Sequence, residues 1–250
     1  MWSFFIGVIT CVFVYFVIAI NDPDVPPPQL HGGDTTNSIK IIHQIWFQGA
    51  DVVPERYTGY RSTCTRANPG WEMKVHDEAS LRAACAVVDA ADSTIGLVQL
   101  FDDSVYMHEK IDAGRMAVLY NEGGISVDMD MLCGPSFETL LRYVAPSSIG
   151  LSAMPVGPLA SLMHNLFATK TSNSNTRPYV PINNATWVLP ARRSPALLKL
   201  IRHMADAVRR LDTGGMGKSR RINLTWGPSA VSVAVAECDC NVTLFPKLFI

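Results

Sequence analysis

The chain has 250 residues, a formal net charge of −1 at pH 7, 48% hydrophobic residues and 17% charged residues. That length suits one α/β domain of ordinary size with a proper core. A charge so near zero excludes the basic footprint of a nucleic-acid-binding protein, and no nucleic-acid partner is expected.

Trp2 to Ile20 is an unbroken uncharged run. At ~1.5 Å per residue, a helix of that length covers most of a ~30 Å hydrocarbon core. Ala19 followed by Ile20 and Asn21 makes a poor signal-peptidase site, so residues 1–20 are read as an uncleaved signal anchor rather than a cleaved signal peptide. Asp22 and Asp24 on the far flank favour a lumenal C-terminal part. Residues 21–38 read as a stalk, stiffened by Pro23 and Pro26-Pro27-Pro28 and loosened by Gly32-Gly33. The expected layout is a single-pass type II protein of the Golgi or ER membrane, with residues 39–250 folded in the lumen. Cys11 lies in the anchor; Cys64, Cys85, Cys133, Cys238 and Cys240 are left. A lumenal site permits disulfides, and an odd set leaves at least one thiol unpaired. Cys238-Asp239-Cys240 is too tight for a zinc knuckle and has no second cysteine pair. Sequons at Asn184, Asn223 and Asn241 fit a secretory route.

Ile39 to Phe47 is a β-rich run that reads as the first, buried strand of a parallel sheet. Ligands of open α/β sheets bind beyond the carboxyl ends of strands, where Trp46 falls. Trp46 is either a core tryptophan or a platform for a nucleotide base, on which stacking contributes ~1–3 kcal/mol. His43 reads as structural. Asn68-Pro69-Gly70 turns into a strand over 71–75, and Asp77 caps a helix over 78–91. Residues 98–106 read as a loose connection.

Lys110 to Cys133 reads as a helix, a Gly123-Gly124 stop, a short strand and two carboxylates. Alternation along a strand puts Asp128 and Asp130 on one side. Adjacent carboxylates repel unless a cation sits between or near them. Their hard oxygens suit Mn²⁺ or Mg²⁺, which can hold a diphosphate and stabilise it as it leaves. Another Asp-x-Asp, Asp22-Pro23-Asp24, reads as solvated linker; the surrounding Gly-Gly turn, strand and helix distinguish the second copy. Asp112 and Arg115 share one helix face at i, i+3. They read either as an ion pair on an exposed helix or as an acid and a base facing the sugar of a bound donor.

Further on, residues 135–144 read as a short helix, 149–153 as a strand and 157–178 as a loop near an acceptor. Ser194 and Pro195 open a helix as N-cap and N1. Leu197, Leu198, Ile201, Met204, Ala205, Val208 and Leu211 form its inner face, and Gly214-Gly215 ends it. Lys218, Arg220 and Arg221 then fall in a loop, as solvated charge or as cations near a diphosphate. A helix over 229–236 and a strand over 242–245 complete the chain.

Taken in order, Asp112-x-x-Arg115, Leu119-Tyr120, Gly123-Gly124-Ile125, Val127 and Asp128-Met129-Asp130 resemble the DXD region of glycosyltransferase family 32. Ile39 to Trp46, Trp71 to Asp77, Asn183-Asn184-Ala185 and Thr225 to Pro228 resemble further family motifs, with Trp226 as an insertion, so the likeness runs from Ile39 to about Pro246. It implies an α/β GT-A (Rossmann-like) domain behind the anchor. The implied activity is a retaining, metal-dependent hexosyl transfer, mannosyl transfer first among them. GDP-mannose or a UDP-hexose would be the donor, Mn²⁺ (or Mg²⁺) the cofactor, and a glycan or glycolipid hydroxyl the acceptor. It assigns Asp130 and Asp128 to the metal, Asp112, Arg115 and Asp128 to donor ribose and sugar, and Trp46 to the base. It also lines the donor site with Asn184, which conflicts with that residue's sequon, so Asn184 is expected to carry no glycan. Two departures stand out. Ser126 replaces a tyrosine, and the chain ends at Ile250, short of a histidine and a tryptophan that close the family's metal site. These departures keep a second reading open, a non-catalytic family member that binds nucleotide-sugar or glycan or scaffolds another transferase. A metal-dependent hydrolase would need a water-activating base that no histidine-rich constellation marks.

Overall fold

The structure is a computed structural model and describes residues 38–134, 136–154 and 180–246. The anchor, most of the stalk and the expected loop over 157–178 lie outside those residues. Among the described residues, no helix is long and apolar enough to cross a membrane.

The run Ile41–Ile45 (β1) lies in a six-stranded sheet, between Glu72–His76 (β2) and Gly124–Val127 (β3), both parallel to it. Beyond β3 come Ile182–Leu189 (β5), Ile149–Ala153 (β4) and Val242–Pro246 (β6). Only β5 runs against the others. The carboxyl ends of β1, β2, β3, β4 and β6 therefore share one edge, and the reversal of β5 brings Asn183-Asn184-Ala185, at its beginning, to the same edge.

Helices cover both faces. Thr58–Ala67 (α1) and Phe137–Leu141 (α5) lie against Ile42, Ile125, Val127, Val188 and Phe245. On the other face Glu78–Ala91 (α2), Leu97–Asp103 (α3), Met107–Glu122 (α4), Pro195–Arg210 (α6) and Pro228–Glu237 (α8) enclose the larger core, around Leu81, Phe101, Met116, Trp187 and Trp226. Lys218–Thr225 (α7) joins α6 to α8. Asp77 caps α2 as expected, with a side-chain bond from the Ser80 amide at 2.8 Å. Ser194 and Pro195 likewise open α6.

Three expectations need correction. Residues 98–106 hold α3 rather than a loose connection. The Asp89 carboxylate accepts from Leu97 N and Val98 N at 2.6 and 2.9 Å, a cap from outside the helix that local propensity does not reveal. Lys218 to Arg221 lie on α7, not in a loop. The helix α6 ends at Arg210, before the glycines.

The path into β3 is set by glycine and histidine. Gly123 closes α4 at φ +67°, and Gly124 enters the strand at φ +91°. A Cβ on Gly124 would lie 2.5 Å from the Ile41 carbonyl oxygen and 3.1 Å from His43 Nε2. Buried His43 donates from Nε2 to the Gly123 carbonyl at 2.7 Å, leaving its Nδ1 to accept from His76 Nε2 at 2.9 Å. One neutral tautomer on each ring satisfies the chain.

Gly124→Ala should lower stability by about 1–3 kcal/mol from backbone strain alone, measured by urea unfolding of the full chain. Burial, then the facing His76, holds His43 down to about 4, against the pull of the Gly123 carbonyl and Glu122. Burial also lowers His76, against Glu122 and Asp77 and alongside Lys74. Both folded-state values lie below the unfolded value, so the unfolded chain binds the extra protons. The stability from this pair is complete above about pH 6.5 and is lost as pH falls toward 4. Each histidine contributes at most about 1.4 kcal/mol per pH unit, and a midpoint flat from pH 7 to 4.5 would contradict the assignment.

Candidate active site

The site is built from the carboxyl ends of β1 and β3 and the first turns of α4. The amino-terminal turn of α4 is locked by buried Glu109. Its carboxylate accepts from Tyr106 N at 2.9 Å, Arg221 Nε at 2.9 Å and Thr225 Oγ1 at 3.2 Å. Arg221 is therefore neither solvated charge nor a diphosphate ligand. It is the counter-ion that lets Glu109 be buried, consistent with the rule that buried charges are paired.

Past that turn α4 is buried nearly all round, from Ala113 to Tyr120. Asp112 and Arg115 do share a face, but not as an ion pair on an exposed helix. Arg115 is buried and donates to Asp128 Oδ1 at 2.5 Å and to the Ala185 carbonyl at 3.4 Å. Burial works against the Arg115 charge, and the carboxylates of Asp128 and Asp112 more than offset it, raising its pKa. Its Nε, also buried, has no hydrogen-bond partner among the described residues. Asp112 is partly exposed. Crowding of protein around its carboxyl pushes it up to about 7, Arg115 pulling down, Asp128 pushing up and the Asn184 amide pulling down.

Asp112, Arg115, Asp128, Asp130 and Trp46 all line one cavity of about 580 Å³. Volumes of ~300–1,000 Å³ are usual for small-molecule sites. Trp46 and Tyr57 form an aromatic wall, their rings 5.2 Å apart. Met107, His108 and Ile111 of α4 form another wall, with Val52 and Gln48 at the edge. Tyr57 and His108 join the site without belonging to any motif read from the sequence. Tyr57 stands alone in a 3₁₀ turn, and the signal for His108 was its i, i+4 spacing from Asp112.

The two aspartates do not project from a strand. β3 ends at Val127, and Asp128 to Asp130 form a turn closed by Met131 N donating to the Asp128 carbonyl at 3.2 Å. They face one cavity because the chain turns there. Asp128 is anchored to Arg115, whereas Asp130 is exposed and makes no hydrogen bond or ion pair among the described residues.

Asn184 does not line the cavity; it stands behind Asp112. Its amide nitrogen donates to Asp112 Oδ1 at 2.8 Å, and its oxygen accepts from Trp187 Nε1 at 2.7 Å. Asn184 is buried with both ends of its amide engaged, a poor acceptor for a glycan despite its sequon. Ser126, where a tyrosine was expected, is buried opposite Trp187 in the β3–β5 pair and does not line the cavity.

A divalent cation fits these residues. Asp130 offers an unengaged carboxylate and Asp128 a second oxygen beside the one that Arg115 holds. Among the described residues no group of three or more His, Cys, Asp or Glu gathers to hold a metal. The protein side of such a site is two carboxylates, and hard cations complete such sets with phosphate oxygens and water. Two cysteine pairs are bonded, Cys64–Cys133 and Cys238–Cys240. Cys85 is free and buried, and burial pushes its thiol up to about 12, which rules it out as a nucleophile at neutral pH.

Comparison with known proteins agrees with this geometry. Residues 54–145 match the family model of the glycosyltransferase sugar-binding region containing the DXD motif. Inositol phosphoceramide mannosyltransferase 3 of Schizosaccharomyces pombe is 30% identical over 137 residues, covering 52% of this chain and 36% of that protein. An uncharacterized glycosyltransferase, L373, of Acanthamoeba polyphaga mimivirus is 32% identical over 93 residues, covering 37% of this chain and 36% of its own. The matched part thus spans about a third of either relative. Among solved structures, the PaToxG glycosyltransferase superposes with a TM-score of 0.53 at 14% identity, over 79% of this chain and 69% of that one. The fold is that of GT-A glycosyltransferases.

The two aspartates should separate in a stability assay. Asp128→Asn leaves buried Arg115 without its closest counter-charge and should cost about 1–3 kcal/mol. Asp130→Asn removes nothing the fold uses and should stay within about 0.5 kcal/mol of wild type. Urea unfolding of both variants without added metal checks the contrast.

Proposed function

We propose, on the premise that residues 54–145 are the DXD-containing sugar-binding region of glycosyltransferase family 32, that this chain transfers a hexose from a nucleotide-sugar to a hydroxyl group. The observation that carries the proposal is the convergence of Asp112, Arg115, Asp128, Asp130 and Trp46 on one cavity at the carboxyl edge of the sheet. Trp46 and Tyr57 offer the base an aromatic wall. Asp112, kept in place by Asn184, and Arg115, held by Asp128, lie deeper and orient the sugar. Asp130 and the Asp128 oxygen that Arg115 leaves free would hold Mn²⁺ or Mg²⁺ together with the donor diphosphate. A bound cation supplies positive charge to the departing diphosphate.

The transfer is read as retaining. No cavity residue stands out as a covalent nucleophile. A front-face displacement, in which the leaving phosphate oxygen takes the acceptor proton, needs none. GDP-mannose is taken first among donors, ahead of the UDP-hexoses, a choice supported by the names of two mannosyltransferase relatives. Their names also favour a glycolipid acceptor, with a glycan hydroxyl second. Residues 1–20 as a signal anchor, 21–38 as a stalk and a lumenal domain over 39–250 complete the reading, in the Golgi or ER membrane. The two disulfides support a lumenal site, since such bonds persist in oxidising compartments.

The test is turnover of GDP-mannose, UDP-galactose, UDP-glucose and UDP-N-acetylglucosamine by the full chain, with and without Mn²⁺. One donor should be turned over in a Mn²⁺-dependent way. Asp130→Asn should reduce that rate by about 10²-fold or more while the protein stays folded. Near-normal rates in both Asp128→Asn and Asp130→Asn would sink the mechanism. A folded chain that binds a nucleotide-sugar but never turns it over would instead favour the non-catalytic binder.

A further inference from the structure

The loop that follows the aspartates has little structure of its own. From Met131 to Gly134 there is no helix or strand, and Leu132 is 62% exposed. Its ties run to one element. Cys133 is disulfide-bonded to Cys64 of α1, and the Cys133 amide donates to Thr63 Oγ1 at 3.0 Å. A little further on, the Phe137 amide donates to Oδ1 of Asn68, the residue that ends α1, at 2.7 Å. The attachment holds α1 as much as the loop, since Cys64 is the one buried residue among the ten of α1. The amino end of α1 follows directly on Tyr57, whose ring meets Trp46 on the aromatic wall. Cys64 lies two helical turns from that wall, about 10 Å along the axis.

We propose that the Cys64–Cys133 disulfide is a positioning device for Asp130: it ties the turn carrying that carboxylate to α1 and holds the cation side of the cavity at a set distance from its aromatic wall. This rests on the donor-site reading above. Asp130 needs such help because no side-chain bond of its own fixes it, whereas Asp128 has Arg115. With the disulfide open, the Thr63 and Asn68 bonds and a few apolar contacts are what keep the loop against α1 among the described residues. Asp130 then samples more positions, and a cation that depends on two protein carboxylates is held less well. The device is redox-sensitive. A dithiol reductant gives two electrons and two protons to the Sγ–Sγ bond, yielding the Cys64 and Cys133 thiols, and is itself oxidised to its cyclic disulfide.

The experiment uses the folded full chain and reads thermal stabilisation by Mn²⁺ titrated in the presence of GDP or UDP. Three forms are compared: oxidised protein, protein reduced with dithiothreitol, and Cys64→Ser/Cys133→Ser. Opening the bond should raise the half-saturating Mn²⁺ concentration by about tenfold or more. Binding of the nucleotide without metal should change by less than about threefold. Trp46 follows directly on β1 and is tied to the His76 carbonyl, which the bond does not touch, and only the Tyr57 side of the wall depends on α1. Reoxidation should restore the original titration. Dithiothreitol also opens Cys238–Cys240, so Cys238→Ser/Cys240→Ser, left oxidised, should titrate like wild type. If the double-serine variant does not fold, reduction of prefolded wild type gives the same comparison. Equal half-saturation with the bond closed and open overturns the proposal, as does peptide mapping that finds no Cys64–Cys133 link. If the oxidised protein shows no response to either nucleotide, with or without Mn²⁺, the donor-site reading itself fails and this proposal with it.

Discussion

The contact between Arg115 and Asp128 is the constraint on which the site depends. A guanidinium this deeply buried is stable only if opposite charge faces it. Asp128 supplies that charge from the end of β3, with Asp112 alongside. The pair fastens the central helix to the start of the DXD turn and uses up one oxygen of Asp128 in doing so. What remains for a ligand is the other oxygen of Asp128 and the whole of Asp130. The division of labour between the aspartates follows: the first belongs partly to the fold, the second to whatever enters the cavity.

The same economy appears around it. Asp112 is held by Asn184, which is held by Trp187, so its carboxyl reaches the cavity from a chain of bonds anchored in the core. Glu109 fixes the first turn of α4 and is itself neutralised by Arg221 of α7. The reversed strand β5 is what makes the first arrangement possible, since its early residues then lie at the carboxyl edge of a sheet whose other strands all end there. Ser126 fits this picture: a small residue beside the Trp187 indole, where a tyrosine would compete for the same face.

Much of this was legible in the chain. Buried parallel strands show as continuous β-branched runs, so β1 and β3 were found close to their bounds. Helix caps are local chemistry, so Asp77 and Ser194 were placed correctly. Five of the six residues assigned to the site line a single cavity, and the sixth stands one bond behind it. The misses were long-range. α3 is capped by a carboxylate eight residues back, Arg221 is recruited by a buried glutamate more than a hundred residues earlier, and Tyr57 reaches the cavity only because its turn folds under Trp46. The cysteine partners were likewise beyond reach, because an odd set permits many pairings.

Neighbouring residues along the chain fix which chemistry it carries: two carboxylates after a glycine turn, an acid and a base one helical turn apart, and an aromatic residue at the end of the first strand. The helix pair follows from local spacing, which backbone geometry translates into a shared face; the two carboxylates face one cavity through a turn rather than through strand alternation. Which groups hold which is settled by folding. Arg115 pairs with Asp128 rather than Asp112, Asn184 supports rather than lines the cavity, and Cys133 ties its loop to α1. Those choices depend on desolvation and on distances across the sheet, which exist only once the chain has folded.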